Sequence, residues 1–347
     1  MLPISGYSHI PCRAIFPGIS SAARYPVKAI RVHRHGGPEV LTYEEVGVGR
    51  PGPGEVLVRN RAIGLNFVDT YFRTGAYAPP GLPFIPGNEG AGEVVAVGEG
   101  VAGFAPGDRV AYVETLGAYA EQRIVPVHFL VPLPEAIDFE TGAAMMLKGL
   151  TAQYLLRRTI RVGPGHTVLL HAAAGGVGLI LTQWAKHLGA TVIGTVGSPE
   201  KAALARENGA DHVIEYRDFA ARVREITGGQ GADVVYDGVG RATFEGSLDS
   251  LRPFGTFVAF GSASGPIDPF DITLLMRKGS LFATWQLLFE HLRKREDVLA
   301  MSRDLFDVVA GGAVTIPVNA RLPLAEAAEA HRRLEGRETT GATVLLP

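Results

Sequence analysis

The stretch LLHAAAGGVGLILTQWAKHLGATVIGTVGSPEKAAL, residues 169–204, decides the fold. Its apolar start predicts a buried strand, the glycine-rich segment at residues 173–178 predicts a tight turn, and the following run predicts an amphipathic helix. A second apolar run over residues 191–196 predicts another strand. This order is typical of a dinucleotide-binding unit, in which backbone N–H groups at the start of a helix approach a pyrophosphate.

The turn itself is an A-x-G-x-x-G form of the dinucleotide fingerprint when it is aligned on its last glycine, Gly178. Small residues are needed where the chain turns and where backbone amides meet a phosphate, and Gly175 and Gly176 meet that need. The alternative is a close-packed strand-to-helix turn in an ordinary α/β fold. Because the turn begins a run of six predicted strands, the sequence favours dinucleotide binding.

The end of the second strand predicts which dinucleotide binds. A site for NAD places a carboxylate about 20 residues after the loop, on the ribose 2′-hydroxyl. Here the strand ends with Gly197 and Ser198, Lys201 follows, and Tyr216 ends the next strand. A cation and hydroxyls without a carboxylate suit a 2′-phosphate, so we predict NADPH. Glu200 is expected to point to solvent from the first turn of the next helix.

Composition limits the class of protein. Lys and Arg number 33 against 35 Asp and Glu, which argues against nucleic acid or an anionic membrane as the main partner. No apolar run approaches the roughly 20 residues that a membrane-spanning helix needs. The single cysteine, Cys12, allows no intrachain disulfide and no cysteine-based zinc site. We expect a soluble, cytoplasmic protein without a metal site.

The pattern along the chain predicts two domains. Residues 27–150 contain short β runs separated by Gly and Pro, typical of a small barrel, and end in a helix with Asp138 as its N-cap. Residues 151–285 alternate strands and helices, which predicts a parallel sheet covered on both faces. Residues 286–347 again combine short β runs with helical patterns, as in the first part of the chain, and are expected to rejoin the first domain.

Residues 1–26 differ from the rest of the chain. They contain no acidic residue, four prolines, several serines and two arginines, a composition that fits a flexible leader or a transit peptide. The alternative is a misassigned start, with the natural chain beginning at Val27. The clean strand pattern that begins there favours this second interpretation.

Several further stretches resemble the quinone oxidoreductase (zeta-crystallin-like) family, a zinc-independent branch of the medium-chain dehydrogenase/reductase superfamily. They are HGGPEVL, AIGLNFVDTYFRTGAY, LKGLTAQYLLR, VVYDGVGRATFEGSLDSLRPFG and EGRETTGATVLLP, together with GHTVLLHAAAGGVGLILTQWAK. The resemblance runs over residues 27–347. It implies an α/β protein with a GroES-like β-barrel domain split around a six-stranded Rossmann domain, a homodimer, and NADPH-dependent reduction of soluble quinones by direct hydride transfer.

The resemblance also implies site residues. Asn66, Asp69, Tyr71 and Lys148 match positions of the nicotinamide and substrate pocket. The alternative for Asn66 and Asp69 is helix capping after a strand, and for Lys148 a solvent-exposed helix position. The residues predicted to bind the cofactor are Phe67, Tyr154, Gly175, Gly176, Val177, Gly197, Ser198, Lys201, Tyr216, Phe260, Gly261, Ser262 and Arg337.

One departure from zinc-containing relatives bears on the reaction. Where those enzymes carry a His-Glu ligand pair, this chain has Asn88 before Glu89. Without a Lewis acid the site is poorly equipped for alcohol oxidation, whereas hydride transfer to an electron-poor quinone needs only positioning and hydrogen-bond donors. The alternatives are a reductase of other conjugated acceptors, such as enones or enoyl thioesters, and an NADPH-binding structural or RNA-binding protein. The lack of a basic stripe disfavours RNA binding.

Overall fold

The computed structural model of the protein describes residues 25–77, 79, 81–113 and 116–347. The predicted extra segment, residues 1–26, lies outside this part of the chain except for Tyr25 and Pro26, which begin the first strand. Within it, the predicted α/β class is confirmed: a mostly antiparallel β domain accompanies a parallel sheet flanked by helices.

The first half of the chain forms most of the β domain. Its central strand, β3, pairs antiparallel with β4 and β6, the sheet continues through β5 to β7, and β1 pairs with β2. The strands are β1 (Tyr25–Val32), β2 (Leu41–Val48), β3 (Glu55–Gly64), β4 (Glu89–Val97), β5 (Arg109–Val113), β6 (Gln122–Pro126) and β7 (Leu130–Pro132). The sequence did not predict β2 or β7, because β2 is largely exposed and acidic and β7 is only 3 residues long.

Two helices belong to this part of the chain: α1 (Phe67–Thr74) lies between β3 and β4, and α2 (Phe139–Tyr154) follows β7. The predicted N-cap of α2 is confirmed, since Asp138 Oδ1 accepts the backbone N–H of Thr141 at 2.7 Å. A π-helical turn, Leu155–Thr159, extends α2. The predicted domain division after residue 150 therefore falls inside a continuous helix, which packs on β3 and β4 as well as on the next domain.

The Rossmann domain follows, and its parallel strands are β8 (Thr167–Leu170), β9 (Thr191–Val196), β10 (His212–Glu215), β11 (Ala232–Asp237), β12 (Leu251–Ala259) and β13 (Phe282–Trp285). Among the described residues the sheet has six strands, as predicted, and their order is β10-β9-β8-β11-β12-β13. The connecting helices are α3 (Gly176–His187), α4 (Pro199–Glu207), α5 (Phe219–Ile226), α6 (Phe244–Ser250) and α7 (Thr273–Arg277). The strand order reverses at β8, which opens a crevice at the carboxyl ends of β8 and β11.

Apolar side chains on both faces of this sheet explain its continuous hydrophobic strands. Val168 and Leu170 of β8 belong to one core cluster, whereas Leu169 between them belongs to a second cluster on the opposite face. β11 alternates in the same way through Val234 and Val235. Because successive strand residues point to opposite faces, a sheet covered by helices on both sides buries nearly every residue of its central strands.

The remaining elements are α8 (Leu288–His291), α9 (Arg295–Ala310), β14 (Val318–Pro323), α10 (Ala327–Glu335) and β15 (Ala342–Leu346). β15 pairs antiparallel with β3 and parallel with β14, so this tail is part of the β domain's sheet. α8 and α9 are separate helices because the chain is extended at Lys294, the N-cap of α9. No helix in the described part of the chain is long and apolar enough to cross a membrane.

Candidate functional site

The glycine-rich turn lies between β8 and α3, at the crevice of the sheet. A Cβ on Gly178 would lie 2.3 Å from the Ala172 carbonyl oxygen, so this glycine allows α3 to pack against the turn. Gly175 is the N-cap of α3, and no side chain bonds to the first turn there. A helix N-terminus left without a side-chain cap at this place suits a pyrophosphate.

Residues that are distant in sequence contact one another beyond the end of β9. Lys201 Nζ donates to the Arg337 carbonyl oxygen at 2.9 Å, although the two residues are 136 positions apart. Ser198 caps α4 by accepting the Lys201 backbone N–H, and a Cβ on Gly197 would meet no atom within 4 Å. The Tyr216 hydroxyl accepts the backbone N–H of Ala172 in the glycine-rich turn at 3.0 Å. The predicted adenosine-side residues are thus brought together.

Glu200 is exposed in the first turn of α4, as predicted. A hydrogen bond from Ser198 lowers the pKa of the Glu200 carboxyl, which is therefore charged at neutral pH. Glu200 therefore places a negative charge next to the cation of Lys201. Its charge opposes the binding of any anion at the end of β9.

Phe260, Gly261 and Ser262 follow β12 at the same edge of the sheet. A Cβ on Gly261 would lie 2.9 Å from the Gly238 carbonyl oxygen, so the loops after β11 and β12 approach through glycine. Ser262 Oγ lies 3.3 Å from the hydroxyl of Tyr71 in α1. Tyr71 also packs edge-to-face against Phe67, with ring centroids 5.5 Å apart. These contacts place α1 of the β domain against the Rossmann crevice.

The start of α1 is held by a buried carboxylate. Asp69 has no exposed surface and accepts hydrogen bonds from the Asn66 backbone N–H, the Asn88 amide and the Tyr119 hydroxyl at 2.7–3.0 Å. Burial raises the pKa of Asp69 to about 6. Its position corrects the prediction that Asp69 is a pocket residue: the carboxylate faces the interior of the β domain and caps α1.

A second buried carboxylate, Glu89, organises the predicted pocket, although the sequence did not single it out. Its Oε1 accepts the Asn66 side-chain amide at 2.6 Å and Lys148 Nζ at 3.0 Å, and its Oε2 accepts the Leu147 backbone N–H at 2.6 Å. Gly64 makes room for it, since a Cβ there would lie 2.3 Å from Glu89 Oε1. An acidic residue at the start of the glycine-rich strand β4 was the available signal.

Lys148 contacts both the β domain, just before α1, and the glycine-rich turn of the Rossmann domain. Its side chain is 8% exposed, which excludes the alternative of a solvent-exposed helix lysine. Besides Glu89, its Nζ donates to the Leu65 carbonyl oxygen at 3.0 Å, just before α1. A Cβ on Gly176 would lie 2.8 Å from Lys148 Cδ, so the lysine stem lies against the glycine-rich turn. The ammonium has three donors, and the third has no partner within the described residues.

Tyr154 lies away from these contacts. Its ring is buried and stacked on His291 with centroids 4.5 Å apart, and its hydroxyl donates to the Gln286 carbonyl oxygen at 3.3 Å. These contacts involve the segment that follows β13. The role of Tyr154 at the cofactor stays a prediction.

The residues at the zinc position of related enzymes do not fit a zinc ion. The Asn88 amide is a donor to Asp69, and the Glu89 carboxylate is already paired with a lysine cation. Among the described residues there is no group of three or more His, Cys, Asp or Glu side chains that could hold a metal ion. We therefore assign no step of the reaction to a metal.

Two family models match the chain. Residues 52–135 match the alcohol dehydrogenase GroES-like domain, and residues 176–295 match the model described as zinc-binding dehydrogenase. The first match covers the strands from β3 to β7, and the second begins within the glycine-rich turn. Together they agree with the division between a barrel-like domain and a Rossmann domain.

Individual proteins match over nearly their whole length. The quinone oxidoreductase of Pseudomonas aeruginosa is 53% identical over 92% of this chain and 99% of its own. The 2-haloacrylate reductase of a Burkholderia species is 48% identical over the same shares. The solved structure of Escherichia coli quinone oxidoreductase complexed with NADPH superposes with a TM-score of 0.90, at 46% identity over 92% of this chain and 100% of that one.

Proposed function

The chain belongs to the quinone oxidoreductase family, and on that premise we propose that it reduces soluble quinones with NADPH by direct hydride transfer. The observation that carries the proposal is the contact of Lys148 and Tyr71 with the Rossmann crevice, at Gly176 and Ser262. These contacts put hydrogen-bond donors beside the glycine-rich turn, which is the proposed binding site of the dinucleotide. We propose the cytoplasm as the compartment, in keeping with one cysteine in 347 residues.

The balanced reaction is quinone plus NADPH plus a proton giving hydroquinone plus NADP⁺. NADPH supplies the hydride when it is bound. The free N–H of Lys148 and the hydroxyl of Tyr71 are the donors we assign to the quinone oxygen on which negative charge develops. Glu89 and Asn66 hold Lys148 and the start of α1 in place, and the buried surroundings of the lysine exclude water.

The residues beyond β9 fit a 2′-phosphate. Lys201 and Arg337 supply positive charge, Ser198 and Tyr216 supply hydroxyls, and Gly197 leaves the approach open. We propose that Gly175, Gly176 and Val177 bind the pyrophosphate through the backbone. The other predicted cofactor contacts, which remain part of the proposal, are Phe67, Tyr154, Phe260, Gly261 and Ser262.

A second candidate substrate class is a conjugated carboxylate, because a 2-haloacrylate reductase is 48% identical to this chain. Hydride transfer to an activated C=C bond needs the same alignment of donor and acceptor as quinone reduction. A carboxylate on the acceptor would also be attracted by the Lys148 ammonium. Comparing the kcat/KM of the two acceptor classes distinguishes the candidates.

Stopped-flow oxidation of NADPH with 1,4-benzoquinone, a cyclic enone and 2-chloroacrylate tests the proposal. We expect the quinone to have the highest kcat/KM. Tyr71→Phe should lower that value by roughly three- to tenfold, the loss of one hydrogen bond of about 1 kcal/mol. Tyr43→Phe, a change at an exposed tyrosine of β2, is the matched control and should leave it unchanged. No turnover of any quinone together with fast reduction of 2-chloroacrylate would refute quinone reduction.

The edge of the Rossmann sheet supports a homodimer as part of the proposal. β13 is the last strand of the sheet, and Phe282 and Trp285 on it are 62% and 42% exposed. A flat apolar edge strand is a template for pairing with another chain. We propose that β13 pairs with β13 of a second copy across a two-fold axis.

Light scattering during size-exclusion chromatography tests this assembly. The wild-type protein should have twice the mass of one chain, and Phe282→Asp should shift it to the monomer because a charge would be buried at the proposed interface. Tyr43→Asp is the matched control, an aromatic-to-acid change on the exposed strand β2. A monomeric wild type, or a Phe282→Asp protein that remains dimeric, would exclude pairing through β13.

A further inference from the structure

A cleft of about 370 Å³ lies where the end of α2 and the π-helical turn meet α9. It is lined by Gln153, Arg157, Arg158, Arg161, Ala300 and Asp304. Gln153 follows Lys148 by five positions, a rotation of about 140° around the helix. The cleft therefore lies on a different side of α2 from the pocket described above.

The cleft has more positive than negative side chains, three arginines against one aspartate. Arg158 pairs with Asp297 at 2.8 Å, and Asp304 accepts the side-chain amide of Gln153 at 3.0 Å. Arg157 and Arg161 make no hydrogen bond or ion pair within the described residues, and both are exposed. Two planar guanidinium groups are thus available for an anion, and such groups match the oxygens of a phosphate.

Gln153 adds a second, independent observation. The residue is 4% exposed, and its Oε1 is buried without a hydrogen-bond partner in the described part of the chain. Exchanging its amide atoms would not help, because the oxygen would then face the Asp304 carboxylate. A buried acceptor beside a basic cleft calls for a ligand with a hydrogen-bond donor as well as a negative charge.

The backbone that carries the arginines is fixed at both ends of the π-helical turn. The Leu155 carbonyl oxygen accepts the Tyr236 hydroxyl at 2.7 Å, and Thr159 Oγ1 donates to Gln286 Oε1 at 2.8 Å. π-helical turns are rare and occur frequently at functional sites. Anchoring lowers the entropy that the arginine backbone would lose when a ligand binds.

We propose that this cleft binds a small phosphorylated compound that carries a hydroxyl group. Arg157 and Arg161 bind its phosphate, and its hydroxyl donates to Gln153 Oε1. The cleft volume lies within the range of small-molecule sites, about 300–1,000 Å³. The site is separate from the NADPH site and does not depend on the reaction proposed there.

Calorimetric titration of the NADP⁺-saturated protein tests the proposal, because saturation removes the dinucleotide site from the measurement. The probes are ribose 5-phosphate, inorganic phosphate and ribose. Ribose 5-phosphate should bind at one site per chain and at least threefold more tightly than inorganic phosphate, and ribose alone should not bind. Absence of binding by ribose 5-phosphate would overturn the proposal, as would binding no tighter than that of inorganic phosphate.

Variants test the residues. Arg157→Gln combined with Arg161→Gln should weaken ribose 5-phosphate binding by at least tenfold, and Gln153→Met should remove its advantage over inorganic phosphate. Arg303→Gln is the matched control, since this exposed arginine of α9 does not line the cleft. An equal loss in Arg303→Gln would mean general charge attraction and would refute the site. Unchanged NADPH oxidation verifies that each variant is folded.

Discussion

At the scale of single residues, Glu89 shows how this site is stabilised. The carboxylate is fully buried, and Lys148 is the one cation that the described residues place on it. Removing one partner of a buried ion pair leaves an uncompensated charge, which costs far more than the pair contributes as a whole. Lys148 is therefore required for stability as well as for its proposed contact with substrate.

We expect Lys148→Met to lower the free energy of unfolding by about 3 kcal/mol, measured by urea denaturation at pH 7. Adding Glu89→Gln should recover a large part of the loss because the unpaired charge disappears. Lys186→Met is the control: its partner Asp211 is at the surface, so the cost should stay below about 1 kcal/mol. Equal losses for both lysines would show that burial of Glu89 is not the cause.

Lys201 and Glu200, which are neighbours beyond β9, carry opposite charges, so we expect their removal to change the KM for NADPH in opposite directions. Lys201→Ala should raise the KM for NADPH by roughly tenfold, since it removes a charged contact to the 2′-phosphate. Glu200→Gln should lower that KM by roughly threefold, because a repulsive charge is lost. Steady-state kinetics with NADPH and NADH checks both, and the KM for NADH should stay unchanged. An equal change in the KM for NADH would show that the 2′-phosphate is not the cause.

At the scale of elements, a buried chain of hydrogen bonds links α1 to α10. Arg73 of α1 donates to His331 Nδ1 at 2.9 Å, and His331 Nε2 lies 3.1 Å from the hydroxyl of Tyr119, which donates to Asp69. Because arginine is only a donor, His331 accepts at Nδ1 and carries its proton on Nε2. Burial and the Arg73 charge lower the pKa of His331 to about 3. Each donor in this chain therefore points toward Asp69: Arg73 donates to His331, His331 to Tyr119, and Tyr119 to Asp69.

This chain predicts an acid-dependent loss of stability. Between pH 6.5 and about 3 the unfolded chain binds a proton at His331 that the native state does not, so the unfolding free energy falls as the pH drops. His331→Gln preserves an acceptor and a donor but does not titrate. Relative to wild type, the variant should gain about 2 kcal/mol between pH 7 and pH 5.

Urea denaturation at pH 8, 7, 6 and 5 measures this difference. Asp69 acts in the opposite direction in both proteins, because its raised pKa makes the native state bind a proton more tightly between pH 6 and 3.8. Its contribution cancels when the variant is compared with wild type. Stability curves that run parallel over this range would contradict a neutral His331 in the native state.

The sequence predicts what is local and periodic in this protein. The alternation of apolar runs gave the six Rossmann strands in the right places, and small residues gave the turn before α3. It did not predict the ion pair of Glu89 with Lys148, because the partners are 59 positions apart and lie on different elements. Arg73 and His331 were missed for the same reason: nothing near either residue indicates its partner. Asp69 was assigned to the pocket because its burial depends on Asn88 and Tyr119, which lie 19 and 50 positions away in the chain.

At the scale of the whole molecule, the residues proposed to bind the cofactor come from both domains. Lys201 belongs to α4, whereas Arg337 follows α10 of the β domain. A dinucleotide that contacts both therefore links the two domains. At 100 times its Kd, NADPH should raise the unfolding free energy by about 2.7 kcal/mol.

Hydrogen–deuterium exchange measured with and without NADPH shows how this stabilisation is distributed. We expect slower exchange in α4 and also in the segment between α10 and β15, because the cofactor connects them. NADH, which lacks the 2′-phosphate, is the matched control and should protect the glycine-rich turn without protecting residues 336–341. Protection by NADPH confined to residues 167–285 would contradict the link through Arg337.

The place of β15 in the sheet has a consequence for how the protein is made. β15 lies between β14 and β3, so the end of β3, at Ile63 and Gly64, waits for a partner that is translated only after the entire Rossmann domain. Domains generally fold as units during synthesis. We expect the middle of this chain to complete its fold first, while the end of β3 stays unpaired until residues 342–346 emerge. During this interval the nascent chain presents a short open strand edge, the kind of surface that pairs with other chains.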